Sequence, residues 1–157
     1  MAWLSLAACA TTSHGIPRSV EPLHPAEAPV KQPPSPVQLM IDTAASMIGQ
    51  PYRFGGAAPG GFDCSGLVVY AMGGAGFQLP RTAREQMHVG APIARRALQP
   101  GDLVFMHLAH KDLHVGIAID NERFVHAPAT GGYVRIDSLA APPYAHAYLT
   151  ARRIVDD

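Results

Sequence analysis

Apolar positions between residues 36 and 90 follow helical spacing in three segments. In the first, paired apolar residues recur every three to four positions from Met40 to Ile48, which predicts one amphipathic helix. Ser35 can cap its start, Pro36 suits the first helical position, and Gln38 completes a capping box. Gly49, which follows the last apolar pair, is expected to end this helix.

Two further helices are predicted before residue 90. The second begins behind a glycine-rich loop at residues 54–62 and runs from its cap, Asp63, to Met72. The third is shorter, Thr82–Val89, and its Thr82 and Glu85 have the spacing of a capping box.

Beyond residue 90 the apolar pattern changes to a period of two, which predicts β-strands. Turn-forming pairs rich in Pro, Gly, Asp and Asn separate five such segments: Asp102–His107, His114–Ile119, Arg123–Ala127, Tyr133–Ile136 and Tyr148–Val155. Helices followed by antiparallel strands predict an α+β fold rather than a βαβ repeat.

The distribution of proline divides the chain. Seven of the 15 prolines lie in the first 36 residues, which contain a single aromatic residue, Trp3. Such a segment cannot bury enough apolar surface to fold, so residues 10–36 are predicted to form a disordered, semi-extended tether. Residues 37–157, which hold the remaining aromatic residues, are predicted to form one domain.

Charge excludes one class of partner. The chain has 12 basic and 12 acidic residues and a formal net charge of zero. Phosphate binding requires clustered Lys and Arg, so nucleic acid is not an expected partner. No segment reaches the roughly 18 consecutive apolar residues of a membrane-spanning helix.

Residues 1–9 form a short apolar segment that resembles a lipoprotein signal. Its end, Leu6-Ala7-Ala8-Cys9, is similar to the lipobox of bacterial lipoproteins, in which the cysteine is lipidated and becomes the new N-terminus. The segment is short and has no Lys or Arg ahead of it, which leaves open a truncated start or an unmodified cysteine. Because a proline-rich tether suits a surface anchor, we expect Cys9 to be lipidated.

Cys64 is the first candidate for chemistry. If Asp63 caps the second helix, Cys64 lies in its first turn, where the helix dipole and free N–H groups favour a thiolate. The alternative is a buried, inert cysteine, and spacing alone does not separate the two. A disulfide with Cys9 is disfavoured because that cysteine precedes the tether.

His114 begins one predicted strand and His126 ends the next. A turn centred between Asp120 and Asn121 would pair position 114 with 127, so both histidines are expected at the same end of a hairpin. Together with Cys64 they offer a nucleophile, a base and a group that orients the base. A zinc site that also uses His107 and His110 is disfavoured, because no Cys-x-x-Cys or helical His-x-x-x-His motif is present.

Six motifs together resemble the NlpC-type family of bacterial cell-wall cysteine peptidases, a papain-like group. They occur in the family's order between residue 37 and about residue 155, and comprise residues 49–56 (GQPYRFGG), 62–67 (FDCSGL), 79–86 (LPRTAREQ), 98–105 (LQPGDLVF), 114–117 (HVGI) and 124–127 (FVHA). The likeness is greatest to small outer-membrane lipoprotein murein endopeptidases. It implies a papain-like α+β fold, with N-terminal helices packed on a five- to six-stranded antiparallel sheet.

The resemblance also implies roles for individual residues. Cys64 matches the nucleophile, His114 the base and His126 the polar residue that orients it. Tyr52 matches a tyrosine that lines the site and can assist the oxyanion.

Three further residues match motif positions beside the nucleophile. Asp63 and Ser65 match positions that line the substrate cleft, whereas Arg81 matches a position for which substrate and structural roles both stay open. No cofactor and no metal are implied.

The activity implied is cleavage of amide bonds in murein stem peptides or their cross-links through a cysteine thioester. The alternatives are an N-acetylmuramoyl-L-alanine amidase, a non-catalytic murein-binding lipoprotein and an effector delivered into rival cells. The lipid acyltransferase branch of the superfamily is disfavoured, because there the histidine precedes the cysteine. The expected setting is a monomer anchored by Cys9 to the periplasmic side of the outer membrane.

Overall fold

The structure is a computed structural model that describes residues 32–109, 111–129 and 132–155. Cys9, the signal-like segment 1–9 and nearly all of the predicted tether 10–36 lie outside the described residues, as does His110. The compact unit that contains the helices and strands begins at Pro33. Because residues 1–31 lie outside the described part of the chain, the division into segment, tether and domain stays a prediction.

Three helices form where the sequence places their caps: α1 spans Pro36–Ser46, α2 spans Cys64–Gly74 and α3 spans Ala83–Gln86. The predicted capping box at α1 is only half formed. Ser35 Oγ accepts a hydrogen bond from the backbone N–H of Gln38 at 3.2 Å, but the Gln38 side chain donates to Asp42 at 2.7 Å instead of turning back. The box at α3 is complete, although that helix ends before the predicted Val89.

Two sheets follow. Strands β1 (Ala57–Ala58) and β2 (Gly61–Phe62) form a small hairpin inside the glycine-rich loop. The main sheet has six strands in the order β3-β8-β4-β5-β6-β7, and its neighbours pair antiparallel. These strands are β3 (Ala91–Ile93), β4 (Leu103–Leu108), β5 (Lys111–Ala118), β6 (Arg123–His126), β7 (Arg135–Ser138) and β8 (Tyr148–Arg153).

The α+β prediction is confirmed, although the strand ends differ from the prediction by up to three residues, as at β5, which starts at Lys111 rather than His114. The β1–β2 hairpin was not predicted. Strand β3 is absent from the prediction because its three residues, 91–93, are partly exposed and too few to show a period. Strand β7 starts at Arg135 rather than Tyr133, because Tyr133 instead forms an isolated bridge with Pro51.

The core lies on both faces of the main sheet. Helix α2 packs against β5, and Leu67 and Val68 join Val115 and Ile117 in one fully buried cluster. A second cluster, which includes Phe124 and Tyr144, covers the other face. Helix α2 is apolar all round, which suits this central position. Among the described residues, no helix combines the length and apolar character needed to cross a membrane.

Candidate active site

The start of helix α2 places the candidate nucleophile. Asp63 is the N-cap, and its Oδ1 accepts the backbone N–H of Gly66 at 2.7 Å. Cys64 is therefore the first helical residue, a free cysteine whose surface is 8% exposed. The cap at Asp63 and the place of Cys64 in the first turn of the helix are as predicted from the sequence.

The Asp63 carboxylate also organises its surroundings. Its Oδ2 accepts the backbone N–H of Gly55 at 2.9 Å, and both oxygens accept hydrogen bonds from Arg81, at 2.9 and 2.7 Å. Burial by itself would raise the pKa of Asp63, but the hydrogen bonds from Arg81, Gly66 and Gly55 hold that pKa below its ordinary value. The helix cap is thus an ionised carboxylate at neutral pH.

Arg81 holds the loop, the cap and the helix together. Besides its bidentate pair with Asp63, it donates to Ser65 Oγ at 3.0 Å and to the backbone carbonyl of Gly56 at 3.3 Å. Ser65 is only 6% exposed and in turn donates to Asp63 at 3.3 Å. The sequence left the role of Arg81 open, and these contacts give it a structural role beside Cys64.

Gly66 allows the glycine-rich loop to approach the helix. A Cβ atom at Gly66 would overlap the backbone carbonyl oxygen of Gly56 and lie 3.0 Å from Asp63 Oδ1. The same Gly56 oxygen accepts the backbone N–H of Asp63 at 3.0 Å. Glycine at position 66 is therefore required by close packing rather than by a left-handed backbone.

The two candidate histidines meet in the main sheet. Both side chains are fully buried, and His114 Nε2 lies 2.7 Å from His126 Nδ1. The predicted proximity is therefore found, but the predicted register is wrong by one residue. Ile117 pairs with Val125, so the hairpin is centred on Asn121 and not between residues 120 and 121.

The register decides whether the histidines can touch. Because side chains alternate along a strand, the predicted register would have put His114 and His126 on opposite faces of the sheet, and the observed one puts them on the same face. The Asp120 side chain accepts the backbone N–H groups of Glu122 and Arg123 at 2.8 and 2.6 Å, which builds a three-residue loop instead of a two-residue turn.

A third member of this group escaped the sequence analysis. Asp137, on β7, has its Oδ2 2.9 Å from His126 Nε2, and the same oxygen accepts hydrogen bonds from Arg135 Nε at 2.9 Å and Tyr144 Oη at 2.8 Å. Burial tends to raise the pKa of Asp137, but the hydrogen bonds from Tyr144, His126 and Arg135 lower it below its ordinary value. The only signal in the sequence is an acidic residue directly after the predicted strand Tyr133–Ile136.

A cleft of about 480 Å³ opens at the start of α2. Its lining includes Tyr52, Cys64 and Arg81, together with Leu113, the neighbour of His114 on β5. The residues that complete the lining are Phe54, Gly55, Asp63, Ser65, Thr82, Ala83 and Arg84. The five sequence-predicted site residues other than the two histidines and Cys9 therefore border one cavity.

Tyr52 stands on the wall of this cleft with its hydroxyl protonated. Burial raises the pKa of Tyr52, the nearby Cys64 and Asp63 raise it further, and Arg81 opposes them. A neutral phenol can donate a hydrogen bond to an oxygen that gains negative charge in the cleft.

Among the described residues, no three His, Cys, Asp or Glu side chains are grouped in a way that could hold a metal ion.

A family model described as the NlpC/P60 family matches residues 49–153 of the chain. Murein DD-endopeptidase MepH of Escherichia coli (strain K12) is 40% identical over 124 residues, which cover 75% of this chain and 46% of that protein. Murein DD-endopeptidase MepS/Murein LD-carboxypeptidase of the same strain is 38% identical over 117 residues, covering 74% of this chain and 62% of the relative. The chain thus spans about half the length of curated relatives that it matches.

Solved structures give the same fold. An NlpC/P60 family protein from Bacillus cereus ATCC 10987 superposes with a TM-score of 0.73 at 31% identity, covering 78% of this chain and 42% of that one. The NlpC/p60 domain of the peptidoglycan hydrolase SagA superposes with a TM-score of 0.65 at 30% identity, covering 74% of this chain and 97% of that one.

Proposed function

The chain belongs to the NlpC/P60 family, and we propose that it is a cysteine peptidase that cleaves amide bonds of peptidoglycan stem peptides or their cross-links. One observation carries the proposal. A free cysteine at the start of α2 lies in an open cleft, and α2 packs against β5, the strand whose His114 is hydrogen-bonded to His126. These are the parts that acyl transfer to a thiol requires.

The proposed reaction begins with transfer of the Cys64 thiol proton to His114. The thiolate attacks the carbonyl carbon of the scissile amide, and the backbone N–H of Cys64 and the Tyr52 hydroxyl donate hydrogen bonds to the oxyanion. His114 then gives its proton to the leaving amine nitrogen as the C–N bond breaks, which leaves a thioester.

The second half of the reaction releases the product. His114 takes a proton from water, the resulting hydroxide attacks the thioester carbonyl, and the C–S bond breaks to restore the Cys64 thiolate and a protonated His114. His126 orients His114 throughout by the hydrogen bond between the two rings. This mechanism needs no cofactor, and nothing in it requires more than one copy of the chain.

The substrate assignment draws on the relatives. MepH and MepS are both named murein DD-endopeptidases, which favours a cross-link amide between two D-centres as the bond cut. The ionised Asp63 and the Arg81 guanidinium offer both signs of charge on the cleft wall. Stem peptides carry both signs as well, so a few placed groups can recognise them without an excess of net charge.

Digestion of purified sacculi, followed by mass analysis of the soluble muropeptides, tests the proposal. The wild-type chain should convert cross-linked dimers to monomers, whereas Cys64→Ala and Cys64→Ser should release nothing while they keep the wild-type unfolding temperature. Full hydrolysis by Cys64→Ala would refute the assignment of the nucleophile. Stem peptides without sugar would identify an amidase, and tight binding without release would identify a murein-binding module.

The location proposed for the protein is the periplasmic side of the outer membrane, where a lipid on Cys9 would hold it near its substrate. The support is the lipobox-like sequence at residues 6–9 and the proline-rich segment 10–36 behind it. Mass spectrometry of the native protein should find an acylated Cys9 at the mature N-terminus. An unmodified Cys9 inside a longer mature chain would overturn the anchor without affecting the proposed activity.

A further inference from the structure

The most informative group outside the predicted site is the cluster around Asp137. One carboxylate oxygen, Oδ2, receives three hydrogen bonds: from His126, Arg135 and Tyr144. The Asp137 side chain is 23% exposed, whereas His126 is fully buried. The described contacts thus converge on one oxygen atom behind the pair of histidines.

Two of these three partners present a proton to Oδ2 independently of His126: the Arg135 guanidinium, and the Tyr144 hydroxyl, which itself accepts a hydrogen bond from Arg135 Nη2 at 3.5 Å. The Arg135 guanidinium has no acceptor atom. The Tyr144 hydroxyl stays protonated, because burial and the neighbouring Asp137 raise the pKa of Tyr144 to about 12. The atom at the Oδ2 position must therefore be a hydrogen-bond acceptor, whichever way the histidine is protonated.

An obligatory acceptor next to His126 has a consequence for both rings. His126 Nε2 must carry a proton in order to donate to Asp137, so in the neutral ring Nδ1 is the acceptor. His114 Nε2 lies 2.7 Å from that Nδ1 and must then carry a proton itself. In a neutral His114, Nδ1 is left as the unprotonated, basic nitrogen.

The rings are also fixed in orientation. Phe124 and Tyr144 pack against His126 with ring centroids 4.5 and 5.4 Å away, the second edge-on. Rotation of the His126 ring by half a turn about its Cβ–Cγ bond would put carbon atoms where its two nitrogens lie, and it is therefore opposed by packing as well as by the loss of both hydrogen bonds. Without the acceptor at position 137, His126 could instead protonate Nδ1 and donate to His114, whose Nδ1 would then carry the proton.

We propose that Asp137, held by Arg135 and Tyr144, is a positioning residue that fixes the tautomers of His126 and His114 and so keeps His114 able to accept the thiol proton. This inference rests on the proposed function, because it assigns His114 as the base. What matters at position 137 is an acceptor oxygen in the place of Oδ2, and its negative charge is secondary.

Two substitutions separate the acceptor from the charge. In Asp137→Asn the amide oxygen can occupy the Oδ2 position and keep all three donors satisfied, because no donor is recorded on Oδ1 among the described contacts. In Asp137→Ala the acceptor is gone. Asp42→Ala is the matched control, since Asp42 is a carboxylate on α1 that accepts one side-chain hydrogen bond, from Gln38 at 2.7 Å.

The first readout needs no substrate. Two-bond ¹H–¹⁵N spectra of the histidine rings report each tautomer, recorded in a Cys64→Ala background at about pH 8, above the ordinary histidine pKa of roughly 6.5. We expect both His114 and His126 as Nε2–H tautomers in the parent and in Asp137→Asn. We expect an Nδ1–H population of His114 in Asp137→Ala. An Nδ1–H tautomer of either ring in the parent would overturn the proposal, even if Asp137→Ala did not fold.

The second readout is the turnover of a cross-linked muropeptide by chains that retain Cys64. Asp137→Ala should lower kcat about 100-fold at unchanged KM, less than the roughly 10⁴-fold loss seen when a carboxylate touching the base itself is replaced. Because Arg135 and Tyr144 hold the amide oxygen in the Oδ2 position, the kcat of Asp137→Asn should stay within about 10-fold of the wild-type value. Asp42→Ala should keep the wild-type kcat. Equal losses in Asp137→Asn and Asp137→Ala would refute the acceptor role. An inactive wild type would reject the proposed function, while the spectra would still test the tautomers.

Discussion

The contact between helix α2 and the glycine-rich loop can be tested by adding one methyl group at two positions of the same helix. A Cβ at Gly66 would overlap the backbone carbonyl oxygen of Gly56, which has no flexible side chain that could yield. A Cβ at Gly73 would have no heavy atom within 4 Å. Gly66→Ala and Gly73→Ala thus share chemistry and differ only in what the methyl group meets.

The two substitutions should change the free energy of unfolding in opposite directions. Overpacking against a rigid neighbour costs about 3 kcal/mol, and replacing glycine by alanine in a helix returns about 1 kcal/mol, so Gly66→Ala should lower the free energy of unfolding by about 2 kcal/mol. Gly73→Ala, near the helix end, should raise that free energy by about 0.5 kcal/mol. For a domain of this size, 1 kcal/mol corresponds to about 4 °C in Tm, so the two variants should differ by about 10 °C.

We expect Gly66→Ala to lose activity and Gly73→Ala to keep it. The Gly56 carbonyl that must move also accepts hydrogen bonds from Asp63 at 3.0 Å and Arg81 at 3.3 Å, so the cap and first turn that hold Cys64 would shift with it. Thermal unfolding by circular dichroism and muropeptide turnover measure both effects. A Gly66→Ala protein as stable as the wild type, or an equal loss in both variants, would refute the close-packing argument.

Two further predictions concern the site itself. His126→Ala should lower kcat less than His114→Ala, because a residue that orients the base contributes less than the base; equal losses in steady-state kinetics would contradict this division of roles. Arg81→Ala should lower the free energy of unfolding by about 1 kcal/mol at pH 7, a value reduced for solvent because the Arg81 side chain is 40% exposed. The folded-state pKa of Asp63 is lowered, so this stabilisation exists above the unfolded pKa of about 3.9 and disappears as pH falls through the folded pKa. Urea unfolding of both proteins at pH 7 and about pH 2.5 should therefore show a difference that shrinks in acid, and a difference that is constant with pH would exclude Asp63 as its source.

Much of the local structure could be read from neighbouring residues. Ser35, Asp63 and Thr82 cap the three helices as predicted, because each cap is a hydrogen bond to a backbone N–H three residues away. The capping box at Gln38 failed because another local partner, Asp42, was within reach of the same side chain. Strand β3 was missed because three residues are too few to show a period.

The candidate site was only partly predictable. Cys64, His114 and His126 stand out by residue type and by the motifs around them, and the last two do meet in space. Arg81 lies 18 residues from Asp63 in sequence, so no local rule predicts their bidentate pair. Asp137 was missed for the same reason, because its contact with His126 depends on the pairing of β6 with β7.

The sequence by itself determined the helix caps, the α+β order of elements and the residue types available for chemistry, since these depend on contacts a few residues apart. Tertiary structure decided the register that puts His114 and His126 on one face of the sheet. A three-residue loop at Asp120, rather than a two-residue turn, shifts the pairing by one position and reverses which side chains share a face. The apolar alternation of each strand is the same in both registers, so alternation along the chain cannot choose between a two-residue and a three-residue loop, and the choice is visible only once the two strands are paired.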